Sequence, residues 1–343
     1  MQTTKANELY AGADLHGNNI FLSICDQDGG HVFRKRVKAS LAAVNAALDP
    51  FWNRIKVLGV ESTFNWYWLV DGLREQGRNV KLGNPAKMAQ YDGIKITGDL
   101  SDADWLAEQL RLGIFPECYI YPKETRAVRD ALRRRQLFVR RRTQVILSLG
   151  GLLERYGLPS PSAAKVEKWT SADIQATGLD EWVQLQLETL LEAAHESDRL
   201  AKKIEKQVLS FVKPTQQYLR IIQVPGIGMA LGMLMVLESG DFKRFPTAGD
   251  YASYCRAVKS ERTSNEKKKG SNNSKNGNKY LAWAFIEAAT FAARFNPRIQ
   301  SWYEKKKRVS GVPKAKKALA CKLAKAVWHV MNGKDFDERL MFG

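Results

Sequence analysis

The apolar positions of the first 120 residues fall in short runs broken by turn residues. Leu9 to Ala13 is one such run, ending in Asp14. After His16-Gly17-Asn18-Asn19 comes Ile20 to Cys25, and after Asp26-Gln27-Asp28-Gly29-Gly30 comes His31 to Val37. Runs of this length bounded by Gly, Asn and Asp predict three strands in a meander. Further on, the pattern predicts a helix from Ser40 to Leu48 and a buried strand from Ile55 to Val60 ending in Glu61. A helix around Trp66 to Arg74, a short strand from Asn79 to Leu82 and a helix beginning near Asp99 follow.

From Thr125 to about Tyr156, Leu132, Leu137, Phe138, Val145, Ile146, Leu149 and Leu152 recur at helical spacing between arginines, which predicts a long basic helix. Pro159-Ser160-Pro161-Ser162 interrupts it. In a second long helix Val183, Leu187, Leu190, Ala194, Ser197, Ala201, Ile204, Val208 and Phe211 step by four and three throughout, a heptad seam whose polar member is Ser197. Such a seam closes either on the basic helix, as an intramolecular hairpin, or on a second chain, as an oligomerisation coiled coil. After Pro214 the pattern is mostly helical. Val224-Pro225-Gly226-Ile227-Gly228 lies between apolar stretches like the turn of a helix-hairpin-helix, where the Gly226 and Gly228 amides approach a phosphate; a Pro-Gly turn between core helices looks similar. Phe245 to Arg256 reads as a short helix, Lys259 to Lys279 as a polar loop, and Tyr280 to Ala293 and Ala315 to Met331 as Ala-rich apolar helices. The expected organisation is an α/β domain over 1–122, a basic helix and coiled-coil linker over 123–213, and an all-α domain over 214–343.

Charge adds a partner. The 343 residues hold 54 Lys and Arg against 36 Asp and Glu, a net charge of +18. The segments 123–142, 256–279 and 304–325 together hold 26 basic and five acidic residues, leaving the rest of the chain slightly acidic. A single charge run is commonly a solvated helix face. Three in one chain point to a nucleic-acid backbone, where each neutralised phosphate releases counterion. With 44% hydrophobic residues a wholly disordered polycation is excluded. Cys25, Cys118, Cys255 and Cys321 are scattered without a C-x-x-C pair, which argues against a disulfide framework or thiolate zinc site and for a reduced, cytosolic protein. The longest apolar stretch, about Gly226 to Leu237, is shorter than the roughly 20 residues of a membrane span, and polar Gln2-Thr3-Thr4-Lys5 is no signal sequence.

Candidate chemistry rests on carboxylates. Asp14 ends the first strand and Glu61 a central one, so both stand at the same end of the sheet if those strands are parallel neighbours. Asp99 and Asp102, at i and i+3 of a helix start, share one face, and Asp99 suits an N-cap. Four carboxylates converging without a basic partner repel one another unless a divalent cation neutralises them. All-oxygen ligation favours Mg2+ or Mn2+ over zinc, and a metal pair about 4 Å apart clamps phosphoryl transfer. Taken singly, Asp99 and Asp102 are ordinary helix-start residues and Asp14 an ordinary turn residue. Glu61, after Val57-Leu58-Gly59-Val60, is the hardest to read as surface. Asp92 and Asp104 are nearby rivals, Asp104 pointing away from the Asp99 and Asp102 face.

Tyr10-Ala11-Gly12-Ala13-Asp14, Gly59-Val60-Glu61-Ser62-Thr63 and Gly98-Asp99-Leu100-Ser101-Asp102-Ala103-Asp104-Trp105 resemble the three blocks of the DEDD transposases of the insertion-sequence family numbered 110, relatives of the Piv and MooV DNA recombinases. The Val224 to Gly228 turn, Phe245 to Tyr254, and Gly270-Ser271-Asn272-Asn273-Ser274-Lys275-Asn276-Gly277-Asn278-Lys279-Tyr280-Leu281 resemble that family's second domain, in the same order. The resemblance implies a RuvC-like catalytic domain of ribonuclease H fold, consistent with three strands followed by alternating helices and strands, and a helical domain that supplies a nucleophilic serine. The tetrad carries over to Asp14, Glu61, Asp99 and Asp102, with Mg2+ or Mn2+ as cofactor. The serine carries over to Ser264, with Ser260, Ser271 and Ser274 as competitors and Asn265 and Glu266 departing from the Gly-rich form of the family's loop.

Under that resemblance the expected activity is site-specific cleavage and rejoining of DNA, element ends and target, through a phosphoseryl intermediate. A serine hydroxyl is a weak nucleophile until its proton is removed or polarised, and Lys267, Lys268, Lys269 and Lys275 supply cations for the phosphodiester. The alternatives are a RuvC-like hydrolytic nuclease or junction resolvase that uses water, and a non-catalytic nucleic-acid-binding protein. The family is also associated with a non-coding guide RNA. Arg133, Arg134, Arg135, Arg140, Arg141 and Arg142 form a backbone-binding surface without a base-reading module, as guided recognition expects. Trp66, Tyr67 and Trp68 read as a buried aromatic face rather than a base-stacking platform. A homo-oligomer, dimer or tetramer, in the cytoplasm and nucleoid of a bacterial or archaeal cell completes the expectation.

Overall fold

The computed structural model describes residues 8–88, 99–258, 262–264, 267–270 and 276–342, with the backbone alone for 99–101, 262–264 and 267–270. The chain divides after Lys123 into two compact units. The first contains β1 (Leu9–Leu15), β2 (Asn19–Cys25), β3 (His31–Lys38), α1 (Leu41–Leu48), β4 (Ile55–Glu61), α2 (Tyr67–Glu75), β5 (Val80–Gly83), α3 (Pro85–Met88) and α4 (Asp99–Arg111). Its five strands form a mixed sheet in the order β3-β2-β1-β4-β5. β1, β2 and β3 pair antiparallel, while β4 pairs parallel with β1 and with β5. A five-stranded sheet of this kind followed by helices fits a ribonuclease H-like DEDD domain.

Alternation along β1 and β4 explains the layering. Leu9, Ala11 and Ala13 with Leu58 and Val60 face one core, closed by Val44 and Leu48 of α1 and Leu69, Val70 and Leu73 of α2. Trp66 is buried in that core with Tyr67 and Trp68 packed against it, as the aromatic pattern predicts. The opposite face carries a smaller apolar cluster, Val57, Met88, Leu106, Leu110 and Phe115, with Tyr10 against it. At the edge, β3 is Lys- and Arg-rich and mostly exposed, a charged border that discourages further strand pairing.

The second unit is dominated by two long helices, α5 (Lys123–Arg155) and α8 (Glu181–Val212), joined through the short α6 (Ala163–Val166) and α7 (Ser171–Gln175). At 1.5 Å per residue each spans roughly 50 Å. They form an antiparallel hairpin: Arg142 pairs with Asp198 and, seven residues earlier on α5, Arg135 pairs with Glu205 seven residues later on α8. Its far half closes over Leu149, Leu152 and Leu153 with Val183, Leu187, Leu191 and Ala194, helped by Val166 and Ile174.

The predicted seam is thus largely buried inside the chain, with two changes of register. Leu191 and Val212 are buried, whereas Phe211 is 45% exposed and Leu190 only partly covered. Packing against α6 and α7 at one end of α8, and against the helical core after Pro214 at the other, widens the stripe beyond a strict two-in-seven seam, so neighbouring positions share it.

The rest comprises α9 (Gln216–Ile221), α10 (Met229–Ser239), α11 (Ala248–Tyr254), a two-stranded β6 (Arg262–Ser264) and β7 (Lys267–Gly270), α12 (Lys279–Phe295), α13 (Pro297–Ser310), α14 (Val312–Met331) and α15 (Glu338–Phe342). From Leu231 to Ser239 α10 is buried throughout, the central rod of this core. Two expectations change here. The stretch read as a polar loop carries a hairpin, whose ladder of backbone hydrogen bonds needs no apolar alternation. The third basic run divides between α13 and α14, with Asn296 capping α13 by accepting from the Ile299 amide. Among the described residues no helix is long and apolar enough to cross a membrane.

Candidate active site and nucleic-acid surface

Two glycines let α4 lie on the sheet. Gly12 and Gly59 are partners in the parallel register of β1 and β4. A Cβ on Gly12 would collide with the carbonyl oxygen of Ala103 and lie 2.8 Å from the amide nitrogen of Ala107; one on Gly59 would stand 2.8 Å from Phe115 Cε2 and 2.9 Å from Leu110 Cδ1. Side chains two residues apart on a strand share a face. Asp14 follows Gly12 by two and Glu61 follows Gly59 by two, so both project on the α4 side. They stand side by side one step past the Ala13–Val60 pair, at the C-terminal ends of parallel neighbours.

The direction of α4 supplies the other two acids. Ala103 lies over Gly12, while Arg111, the last residue of α4, donates to the carbonyl of Gln27 beyond the end of β2 that pairs with the start of β1. The helix therefore runs antiparallel to β1. Its first turn, with Asp99 leading and Asp102 one turn on, is directed to the end of the sheet that carries Asp14 and Glu61. Asp14 is buried, with His16 Nε2 3.0 Å from its Oδ2. Glu61 and Asp102 are half-buried.

Among the described residues no three His, Cys, Asp or Glu side chains are grouped closely enough to hold a metal ion. The side chain of Asp99 lies outside those residues, so the quartet is described only in part. As a donor set, the four carboxylates expected from the sequence would match the all-oxygen coordination of Mg2+ or Mn2+. Of the rivals, Asp92 lies outside the described residues. Asp104 is committed elsewhere: its Oδ1 accepts from Ser23 Oγ at 2.5 Å and Arg34 Nε at 3.0 Å, and its Oδ2 from Arg34 Nη2 at 2.6 Å. Arg111 holds the other end of α4 and, by hydrogen bonding to Glu108, keeps that carboxyl below its usual range against the effect of burial.

Ser264 closes β6 and pairs in register with Lys267, the first residue of β7, while Thr263 pairs with Lys268. Lys269 and Gly270 complete β7. Ser260, Ser271, Ser274 and Lys275 lie outside the described residues. The segment bearing the serine has a fixed base. The amide of Asn278 donates to the Tyr254 carbonyl at 2.6 Å, and Arg256 Nη2 donates to the Gly277 carbonyl at 2.9 Å. Gly277 is at φ 83°, in the left-handed region, and a Cβ there would lie 3.2 Å from the Ser253 carbonyl oxygen, so both the conformation and the space require glycine.

Below this base is a carboxylate that sequence reasoning missed. Glu238 of α10 is fully buried and takes a two-pronged ion pair from Arg133 of α5, Nε to Oε1 at 2.5 Å and Nη2 to Oε2 at 2.7 Å. Asn278 Nδ2 donates to Glu238 Oε2 at 2.7 Å, while Asn278 Oδ1 caps α12 by accepting from the Tyr280 and Leu281 amides. Burial opposes the charge of Arg133, but Glu238 outweighs it and holds the guanidinium protonated above its ordinary range. A lone Glu at the end of the otherwise apolar Met233 to Leu237 run was the available signal.

The basic helix is therefore of two kinds. Arg133, Arg135 and Arg142 have carboxylate partners in the second unit, Glu238, Glu205 and Asp198 respectively. Arg134, Arg140 and Arg141 are exposed. The helix-hairpin-helix-like turn also divides. Gly226, at φ 83°, lies so close to α12 that a Cβ would meet the Ala288 carbonyl oxygen and stand 2.7 Å from the Ala292 amide nitrogen. That glycine serves helix packing. Gly228, the residue before α10, is exposed with open space around it, and Met229, the first residue of α10, is exposed beside it.

Residues 11–158 match the profile of a transposase family of DEDD type, and residues 218–304 match "Transposase IS116/IS110/IS902 family". The first match contains all four acids and the second contains Ser264 and Lys267 to Lys269. A probable family 20 transposase of Pseudomonas aeruginosa is 27% identical over 66% of this chain and 68% of its own length. The transposase of insertion sequence element IS1111A of Coxiella burnetii is 23% identical over 93% of this chain and 88% of its own. That of IS1328 of Yersinia enterocolitica is 22% identical over 94% and 97%. With both conserved domains present in the same order and relatives aligned nearly end to end, the chain belongs to the IS110 family of DEDD transposases, enzymes of DNA cleavage and strand transfer.

Proposed function

We propose that this transposase is a site-specific recombinase that moves its insertion sequence through a covalent phosphoseryl-DNA intermediate, with Ser264 as nucleophile and Asp14, Glu61, Asp99 and Asp102 as the carboxylate set. The observation that carries the reading is the convergence of β1, β4 and the first turn of α4 on one end of the sheet. A fold that only bound nucleic acid would gain nothing from collecting acids there on a chain of net charge +18. The quartet would hold a divalent cation, Mg2+ or Mn2+, which when bound stabilises charge on the phosphate oxygens and lowers the pKa of a coordinated hydroxyl.

The protein's own residues do the remaining work. The Ser264 oxygen attacks phosphorus, forming a serine–phosphate ester as one bond from phosphorus to a deoxyribose oxygen breaks. The serine proton is lost to a base and the departing deoxyribose oxygen takes up a proton. No water is consumed, so the ester keeps the energy needed for a second DNA hydroxyl to reverse the step and rejoin strands. Lys267, Lys268 and Lys269 balance phosphate charge. The fixed base at Arg256, Gly277 and Asn278 limits where the serine segment can travel, which counts in a reaction that depends on alignment.

DNA, as element ends and target, and a non-coding guide RNA are the proposed partners. The exposed Arg134, Arg140 and Arg141 and the exposed turn at Gly228 support backbone contact, with base pairing to the guide supplying sequence. The guide is tested by purifying the protein with its nucleic acid and sequencing the RNA. A single structured species encoded beside the gene is expected; random cellular RNA would count against guidance. The phosphoseryl step is tested by substituting the serine: Ser264→Ala should abolish cleavage of element ends, and cleavage at the wild-type rate would transfer the reaction to activated water.

A further inference from the structure

We infer that the groove between α5 and the start of α12 is a subsite for one unpaired nucleotide. The inference rests on the proposed role in handling nucleic acid and adds a specific pocket to it. The groove is lined by Arg133, Arg134, Gln136, Leu137 and Arg140 with Tyr280, and its volume of about 430 Å3 is within the range of small-ligand sites. Its acid, Asp130, lies 3.9 Å from the Arg129 guanidinium, so the lining is positive on balance.

Gln136 is the decisive residue. It is 5% exposed, and both its amide oxygen and its amide nitrogen are buried without a hydrogen-bond partner among the described residues. Buried polar atoms are nearly always paired, so an amide left unmatched at both ends in a polar groove marks a place a ligand completes. A side-chain amide offers one acceptor and a donor together, the combination that pairs with the edge of a base. A duplex still offers the major-groove edge of adenine to such an amide, but a groove of about 430 Å3 admits a single base and not a duplex, which restricts the occupant to an unpaired base.

The neighbours suit the rest of a nucleotide. The Arg133 guanidinium lies 4.4 Å from the centroid of the Tyr280 ring, and the double hydrogen bond to Glu238 holds it there. A fixed guanidinium and a half-buried aromatic ring form a stacking platform. Arg134 and Arg140 are both exposed at the groove and, among the described residues, have no ion pair of the kind that occupies Arg133, so they suit the flanking phosphates. Arg133 thus builds the platform, whereas its exposed neighbours contact the backbone.

The test uses the full chain and fluorescent 12-nucleotide single strands, DNA in one arm and RNA in the other, beside the same strands with abasic positions and a blunt duplex. Gln136→Leu keeps the size and removes the unmatched amide, so its Tm should equal or exceed that of wild type. Its affinity for intact single strands should fall roughly tenfold, the range of one lost base contact, with duplex affinity unchanged. Tyr280→Leu should show the same pattern, and abasic strands should erase the difference between variants and wild type. The arm with the larger loss identifies the strand as guide or as melted DNA.

Photo-crosslinking of wild type with 5-iodouracil strands should give an adduct on Tyr280, which holds even if a variant fails to fold. Wild-type affinity in both variants, or adducts only elsewhere, overturns the subsite. Cleavage of element ends by a protein that ignores unpaired strands would sink the subsite alone. Binding of those strands by a protein that never cuts DNA would sink the recombinase reading alone.

Discussion

Gly12 of β1 and Ala103 of α4 meet backbone to backbone, with no room for a Cβ between them. This contact sets the height of α4 over the sheet and so the placement of Asp99 and Asp102 relative to Asp14 and Glu61. Gly12→Ala should therefore raise α4 off β1. The expected stability loss is about 1–3 kcal/mol, the usual result of overfilling a packed interface. Cleavage of element ends should fall at least tenfold while DNA binding, which the proposed function assigns to the second unit, changes little. Denaturant titration and a gel-shift assay measure the two; unimpaired cleavage would show that this contact does not set the acids.

Glu238 joins α5, α10 and α12 through Arg133 and Asn278. Removing one partner of a buried pair leaves the other charge unmatched, so Glu238→Leu alone should destabilise the second unit by about 3–5 kcal/mol. The double variant Glu238→Leu with Arg133→Met removes both charges and should recover most of that loss. Equal stability of the single and double variants would mean that the pair is not coupled.

Asp198 links the two long helices. Burial raises its pKa, but hydrogen bonds from Lys202 and Arg142 prevail and hold it below the ordinary carboxylate range. A carboxyl whose folded pKa is depressed contributes stability above its unfolded pKa and loses it as pH falls through the folded value. Unfolding followed from pH 7 down to pH 3 should therefore show a steeper decline for wild type than for Asp198→Asn. Parallel curves would place the acid sensitivity elsewhere.

Leu187 illustrates what periodicity leaves open. It is fully buried among Leu149, Leu153 and Val183 of the same chain. Leu187→Glu with Leu190→Glu should thus unfold the α5–α8 hairpin, visible as lost helical circular dichroism, before it reports on any oligomer. Full retention of helix and Tm would contradict the intramolecular packing.

The three-strand meander, the following α/β alternation, both long helices and the positions of Asp14 and Glu61 were legible because alternation and heptad stepping express burial directly. What the two glycines do was not, since Gly12 and Gly59 look like strand weakeners until the helix backbone above them is seen. The arginines of α5 looked alike in sequence. Only their distant partners, Glu205, Asp198 and Glu238, separate those that hold the fold from those left exposed. The β6–β7 hairpin was hidden because its residues carry no apolar alternation, and Gly226 because a phosphate-binding turn and a close helix contact require the same residue.

The central claim is that a serine of the second unit and the acids of the first perform one phosphoryl transfer. The direct measurement is mass spectrometry of protein incubated with its element-end DNA and Mg2+, quenched and digested. The account predicts a nucleotide-phosphate adduct on the Ser264 peptide in wild type, absent in Ser264→Ala and in Asp102→Asn. Cut DNA with no protein adduct in wild type would contradict it.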